Sequence, residues 1–301
     1  MQHIVIGSRG SDLALWQANH VKAQLENLGC SVELKIIVTQ GDAIQHLSFD
    51  KMEGKGFFTK EIEVALLNKS IDLAVHSHKD LETNFPEGLI IACVSEREDP
   101  ADLLLYSKNA IDSTKLWGLK ENAIIGTSSA RRKSQVIRFR DDLEIKDLRG
   151  NVPTRIQKLR DGNYDAILLA KAGVDRLKID LSEFVVEVLN PKAFVPAPAQ
   201  GVLALQIREE DTALFEILQK MNHPEVERRI AVERKVLNLM QGGCQLPLGV
   251  FCDEDDIVYV SHADDWTTGS AWYEYDAEDL EGLAEFIVED ITNGIFDEEG
   301  N

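Results

Sequence analysis

The chain has 301 residues, 44% of them hydrophobic and 28% charged, enough to bury more than one core, and its formal net charge is -20. No apolar run approaches the roughly 18–20 residues of a membrane span, and the opening MQHIVIGSRG enters a strand pattern without a basic leader, so a cytoplasmic protein with no membrane partner is expected. The acidic balance argues against a nucleic-acid partner. Four cysteines, Cys30, Cys93, Cys244 and Cys252, form no C-x-x-C and have no metal-ligand spacing with the seven histidines, which predicts neither a disulfide framework nor a metal site. The charge is uneven. Residues 236–301 hold seventeen aspartates and glutamates and no lysine or arginine, whereas residues 120–178 hold fourteen basic side chains against eight acidic ones. Such a chain can hold a small polyanion at one place, with the acidic end read as a solvated face.

In chain order, HIVIGS reads as a strand. SDLALWQANHVKAQLENLG reads as a helix with Ser11 as N-cap, Leu15, Val21, Leu25 and Leu28 near one stripe, and Gly29 as the stop. SVELKIIV is a strand, TKEIEVALLNK a helix, and IDLAVHS and LIIACVS are strands. This is α/β order and implies a largely parallel sheet flanked by helices. A second series begins after SEREDPAD, with strands in NAIIGTSS, LEIKDLRG and YDAILLAK, each followed by a helical pattern. The proline-rich FVPAPAQG interrupts, and VLALQIRE reads as a strand returning to the first sheet. A small α+β region follows, with helices in EVERRIAVERKVLNLM and AEDLEGLAEFIVEDITNG and strands in IVYVSHA and AWYEYDA. The expected domains are 1–98 with 199–216, then 99–198, then 217–301.

Several strand ends carry chemistry. GTSSARRKSQ follows a strand and opens a helix, so Thr127, Ser128 and Ser129 gather hydroxyls and amides at a helix N-terminus while Arg131 and Arg132 add two forks for a carboxylate or phosphate. A capped surface helix with solvated arginines is the plain alternative. DLRGNVPTR repeats the theme with Arg149, Pro153 in a first helical turn, and Arg155. IGSRGS ends a strand with Arg9 and Ser11. AVHSHKDLE ends another with Lys79 and Asp80, where a surface ion pair is the competing reading. His76 and His78 alternate along that strand with no third ligand in suitable spacing, so no metal is read there. EGKGFFTK is a glycine-hinged loop with Lys55 and Phe58, either a lid or a plain exposed loop. Finally MQGGCQLPLG sets Cys244 in a glycine-flanked loop beyond a long charged helix, whereas Cys93 lies within an apolar run. Parallel sheets bind ligands outside the carboxyl ends of their strands, so these residues point to a cleft between two α/β units that takes a ligand with several carboxylates.

The ordered series GSRGSDLALWQA, GKGFFTKEIEVALL, DLAVHSHKDLE, SEREDPADLL, GTSSARR, LRGNVPTR, YDAILLAKAGVDRL, PAPAQG and ERKVLNLMQGGCQLPLG resembles the porphobilinogen deaminase (hydroxymethylbilane synthase) family over nearly the whole chain; only the acidic last stretch lacks a strong signature. The resemblance implies two periplasmic-binding-protein-like α/β domains around a cleft and a small C-terminal α+β domain. It implies a transferase that joins four porphobilinogen molecules head to tail, loses ammonia at each addition and frees linear hydroxymethylbilane by hydrolysis. It further implies a dipyrromethane cofactor held through a thioether to Cys244, and Asp80 as a buried catalytic carboxylate that stabilises a cationic azafulvene. By the same resemblance Lys79, Asp80, Ser129, Arg131 and Arg132 hold the cofactor. Arg9, Ser11, Arg149, Arg155, Arg176, Thr127, Ser128, Lys55 and Phe58 contact substrate and the lengthening chain, and the protein is a monomer. The chain departs from the family at Glu82, where proline is usual, at Gln40, where arginine is usual, and at Ala199, where glycine is usual. A binding protein of two α/β lobes and a thiol hydrolase using Cys244 are the other classes compatible with these residues.

Overall fold

The computed structural model describes residues 2–39, 59–243, 245–276 and 280–293. They form two compact units, Met1–Asp99 with Ala172–Ile179 and Gln200–Glu227, and Pro100–Lys171 with Asp180–Ala199 and Arg228–Asn301.

The first unit contains β1 (His3–Ser8), α1 (Asp12–Asn27), β2 (Ser31–Ile36), α2 (Lys60–Leu67), β3 (Leu73–Ser77), β4 (Leu89–Val94), β10 (Leu203–Arg208) and α6 (Thr212–Leu218). Its sheet runs β2-β1-β3-β10-β4. β1 is parallel to β2 and β3, while β10 is antiparallel to both of its neighbours. Strand alternation sends Ile4, Ile6, Leu73 and Val75 to one face, where Val21 and Leu25 of α1 and Leu214 and Leu218 of α6 cover them. Val5 and Ala74 point the other way, onto Ile62 and Leu66 of α2. Helices on both faces explain why the central strands are apolar throughout. In α1, Ser11 is the N-cap and its hydroxyl accepts from Ala14 N, as the sequence implies. The buried stripe is Gln17, Ala18, Val21 and Leu25. Leu28, expected on that stripe, is 43% exposed because the helix has already ended there.

The second unit holds β5 (Asp102–Tyr106), β6 (Ile124–Gly126), α3 (Ala130–Phe139), β7 (Glu144–Lys146), α4 (Val152–Arg160), β8 (Ala166–Ala170) and β9 (Val185–Leu189), and α5 (Lys171–Leu177) begins at its border. Its sheet order, β7-β6-β8-β5-β9, repeats the first: three parallel strands, an antiparallel one, then the edge. In the first sheet the antiparallel strand comes from a distant part of the chain, whereas in the second it opens the unit's own continuous segment. β10 follows all the strands of the second sheet in sequence, and β5 follows directly on the first unit. Each unit is thus an α/β layer structure with the same mixed strand order.

A small C-terminal domain completes the second unit: α7 (Pro224–Leu239), the antiparallel meander β11 (Leu248–Cys252), β12 (Val258–His262) and β13 (Ala271–Tyr275), and α8 (Leu283–Asn293). Val232 and Val236 of α7, Ile287 and Ile291 of α8, and Val250, Val258 and Val260 of the sheet make its core. α3 packs beside this sheet as well as its own, which accounts for a helix whose arginines, lysine and glutamine are nearly all buried. Gln135 illustrates the packing. Its Nε2 donates to Val195 O at 2.9 Å and its Oε1 accepts from Val195 N at 2.6 Å.

Candidate functional site

In the first unit, β1 ends at Ser8, whose hydroxyl donates to Ala14 O at 3.1 Å and closes the turn that carries Arg9 into α1. Arg9 and Ser11 are half-buried. β3 ends at Ser77, and a 3₁₀ turn, His78–Asp80, follows directly. The last paired position of this ladder is Leu203 with Ser77, so Lys79 and Asp80 lie just past the carboxyl end of the strand. Lys79 is half-buried and its Nζ donates to Gln200 Oε1 at 3.1 Å. Asp80 is exposed among the described residues, which corrects the expectation of a buried carboxylate: it ends the 3₁₀ turn that projects past the carboxyl end of β3. Gln17 of α1, not singled out in the sequence, is 3% exposed and donates to Ser77 Oγ at 2.8 Å. His76, one turn back on β3, is buried and pairs with Gln206 Oε1 at 3.1 Å. Burial pushes its imidazole down to about 4, the Gln206 bond opposing in part, so His76 is neutral near pH 7.

Arg176 of α5 is 6% exposed. Its Nη2 donates to Gly201 O at 2.6 Å, while its buried Nε has no hydrogen-bond partner among the described residues. The guanidinium also lies 5.8 Å from the Trp16 ring centroid. A buried cation with an N–H still to satisfy fits an oxyanion ligand.

In the second unit the hydroxyl run after β6 is built into the backbone. Thr127 is buried and its Oγ1 accepts from Ser129 N at 3.3 Å. Ser128 Oγ both donates to Leu148 O and accepts from Leu148 N, at 3.0 Å each, tying the ends of β6 and β7 together. Ser129 is the N-cap of α3 and its hydroxyl accepts from Arg132 N at 3.4 Å. Arg131 and Arg132 are both buried, and both meet a carboxylate that sequence reasoning missed, Asp102 at the start of β5, itself 0% exposed. Arg132 Nε and Nη2 grip Asp102 Oδ2 and Oδ1 at 3.2 and 2.7 Å, and its Nη1 donates to Leu168 O at 3.1 Å. Arg131 Nη1 lies 2.9 Å from Asp102 Oδ2 and donates to Val195 O at 2.8 Å. Burial alone would raise the Asp102 carboxyl, but the two guanidiniums outweigh it and hold it far below the usual carboxylate range. One carboxylate between two guanidiniums leaves a net positive group. The signal for Asp102 was present as a lone acid heading the apolar run LLLY, where a charge needs a partner.

Arg149 and Arg155 are half-buried at the next strand end. Asn151 caps α4 by accepting from Thr154 N at 2.9 Å, Pro153 sits in the first turn as expected, and Arg155 Nε donates to Gly150 O at 2.7 Å. Cys244, Lys55, Phe58 and Gln40 lie outside the described residues. α7 ends in a Schellman motif, Gly242 N to Leu237 O at 3.0 Å and Gln241 N to Asn238 O at 2.9 Å, and Leu246 N donates to Gly243 O at 3.0 Å. The three described cysteines are buried. Burial, reinforced by Glu227 at Cys93 and by Glu233 at Cys252, pushes both of these thiols up to about 12.

Both sheets thus place cationic side chains at the carboxyl ends of parallel strands, the arrangement of an α/β protein that handles a small polyanion. The family model described as porphobilinogen deaminase, dipyromethane cofactor binding domain, matches residues 4–216. A porphobilinogen deaminase of Nitratidesulfovibrio vulgaris strain DP4 is 46% identical over 85% of this chain and 81% of its own length. One of Oceanobacillus iheyensis is 44% identical over 86% and 83%. Among solved structures, a putative methionine-binding lipoprotein of Bacillus subtilis aligns with a TM-score of 0.44 at 14% identity, covering 74% of this chain and 90% of that one. The chain belongs to the porphobilinogen deaminase family.

Proposed function

We propose the following division of labour for this chain. It is a deaminating transferase that condenses four porphobilinogen molecules head to tail and releases linear hydroxymethylbilane by hydrolysis, a step of tetrapyrrole synthesis. Its cofactor is a dipyrromethane, which when bound supplies the pyrrole end to which substrate is joined. Cys244 anchors that cofactor through a thioether. The buried state of the three described cysteines, two with strongly raised thiols, suits them to packing and leaves the loop cysteine for the linkage. Lys79, Ser129, Arg131 and Arg132 hold cofactor carboxylates. Arg9, Ser11, Arg149, Arg155, Arg176, Thr127 and Ser128 receive the acetate and propionate groups of substrate, with Lys55 and Phe58 adding charge and a stacking ring. The observation that carries the carboxylate reading is Arg176, a buried guanidinium with an unsatisfied Nε. Asp80, exposed at the strand end, meets the pyrrole N–H and offsets the positive charge that develops as ammonia leaves. The working unit is a monomer in the cytoplasm.

Intact mass of freshly purified protein tests this. The wild-type chain should carry an adduct of two porphobilinogen units less two ammonia, and Cys244→Ala should remove both the adduct and tetrapyrrole output. Asp80→Asn should keep the fold and the adduct yet lose turnover by at least about a hundredfold. An unmodified, active wild-type chain overturns the proposal.

A further inference from the structure

The turn from β7 into α4, residues 147–151, belongs to neither strand nor helix, and side chains from three neighbouring segments hold its main chain. Tyr164, just ahead of β8, donates its hydroxyl to Asp147 O at 2.6 Å. Ser128 Oγ meets both N and O of Leu148, which is 0% exposed. Lys158 Nζ of α4 donates to Arg149 O at 3.0 Å, and Arg155 Nε of the same helix to Gly150 O at 2.7 Å. Gly150 has φ +110°, and a Cβ there would stand 2.7 Å from Thr154 Cγ2, so the path of the chain past Arg149 requires glycine.

An irregular turn must find partners for its main chain outside any ladder, and here side chains supply them at four successive residues. Lys158 supplies the one that falls on Arg149's own carbonyl. Helical side chains lean toward the helix N-terminus, which lets a lysine in the last turn of α4 reach back to the turn before it. Its ammonium makes a charge-assisted bond, stronger than the bond a neutral donor would make to the same oxygen. The placement matters because a guanidinium takes a carboxylate through two parallel N–H bonds, a geometry that tolerates displacements of only about 0.5 Å.

We propose that Lys158 is a positioning residue: its ammonium clamps the Arg149 carbonyl and so fixes the main chain from which the Arg149 guanidinium reaches a ligand carboxylate. The second part rests on the reading of Arg149 as a substrate contact given above; the clamp itself rests on the hydrogen bond.

Two measurements on the full-length protein separate these layers. The first is amide hydrogen exchange of the 147–151 turn, read by peptide mass spectrometry relative to β8. Lys158→Met, which keeps the length and helix preference of the side chain, should speed it about fivefold, whereas Lys158→Arg, which keeps a charged donor, should stay within about twofold of wild type. An unchanged rate in Lys158→Met overturns the clamp. The second is the pattern of enzyme-bound intermediates after addition of porphobilinogen, read by intact mass, in Lys158→Met and Arg149→Lys. Lys158→Met should raise about fivefold the porphobilinogen concentration that gives half-maximal bound intermediate, and should accumulate the same intermediate as Arg149→Lys. If Arg149→Lys changes the pattern and Lys158→Met does not, Lys158 is merely structural and the proposal is overturned. If exchange responds and Arg149→Lys leaves the pattern as in wild type, the reading of Arg149 falls while the clamp stands.

Discussion

Two buried side chains contribute to the acid response of this protein in different windows. Asp102 carries its negative charge between Arg131 and Arg132, and its folded-state carboxyl lies far below the unfolded value. Its stabilisation is complete at and above the ordinary carboxyl range near pH 4 and is lost only as pH falls below that. Asp102→Asn leaves two buried guanidiniums without a counter-ion, and a loss of about 3–5 kcal/mol is expected at pH 7 by chemical denaturation, shrinking below about pH 4. His76 acts over a different window. Its folded value is about 4, against about 6.5 for a free imidazole, so the unfolded chain takes the proton first as the solution is acidified. The contribution is full above about pH 6.5 and drains as pH falls toward about 4, on the order of 3 kcal/mol in all. His76→Gln should reduce the slope of the stability profile between those limits, leaving the share of His262, whose imidazole is also lowered by burial; an unchanged slope would remove His76 as a source.

At the scale of the element, the helix ends decide where chemistry is placed. Ser11, Ser129 and Asn151 each turn a strand end into a capped helix start; the sequence reading named Ser11 as an N-cap and put Ser129 in a hydroxyl run at a helix N-terminus, while Asn151 was not singled out. The C-terminus of α7 is held by the Schellman motif with Gln241 at φ +52°, a conformation in which a side chain is strained. Gln241→Gly should therefore stabilise the protein by about 1 kcal/mol, seen as a higher Tm, with the cysteine loop still accepting cofactor. The strands were read unevenly. β1, β3, β4 and β12 stood out as β-branched runs between turn residues. β5, β9 and β11 did not: β5, DLLLY, has no β-branched residue, β11, LGVFC, has one beside a glycine, and β9 exposes Val186 and Val188 on an edge. Asp102 went unseen with β5, because a charge inside an unrecognised strand has no visible reason to be buried. Gln200 was equally silent: its hydrogen bond from Lys79 follows from the ladder that pairs β10 with β3, which no local pattern encodes.

At the scale of the whole molecule, the antiparallel strand β10 ties distant sequence to the first sheet, whereas β5 is local to the second. β10 lies between β3 and β4, and β5 between β8 and β9. A fragment ending at residue 99 would leave β4 with no strand beside it and Leu73, Val75 and Ala92 without Leu203 and Leu205. Such a fragment should show no cooperative unfolding transition, whereas co-expression with residues 199–227 should restore one, measured by denaturant titration.

The same tie bears on how the chain matures as it leaves the ribosome. The amino-terminal sheet must wait for more than a hundred further residues before its missing ribbon emerges, while the later sheet has its counterpart in hand from the outset. The two sheets should then close against the direction of synthesis, the later one with β9 at Val185–Leu189 and the earlier one only with β10 at Leu203–Arg208.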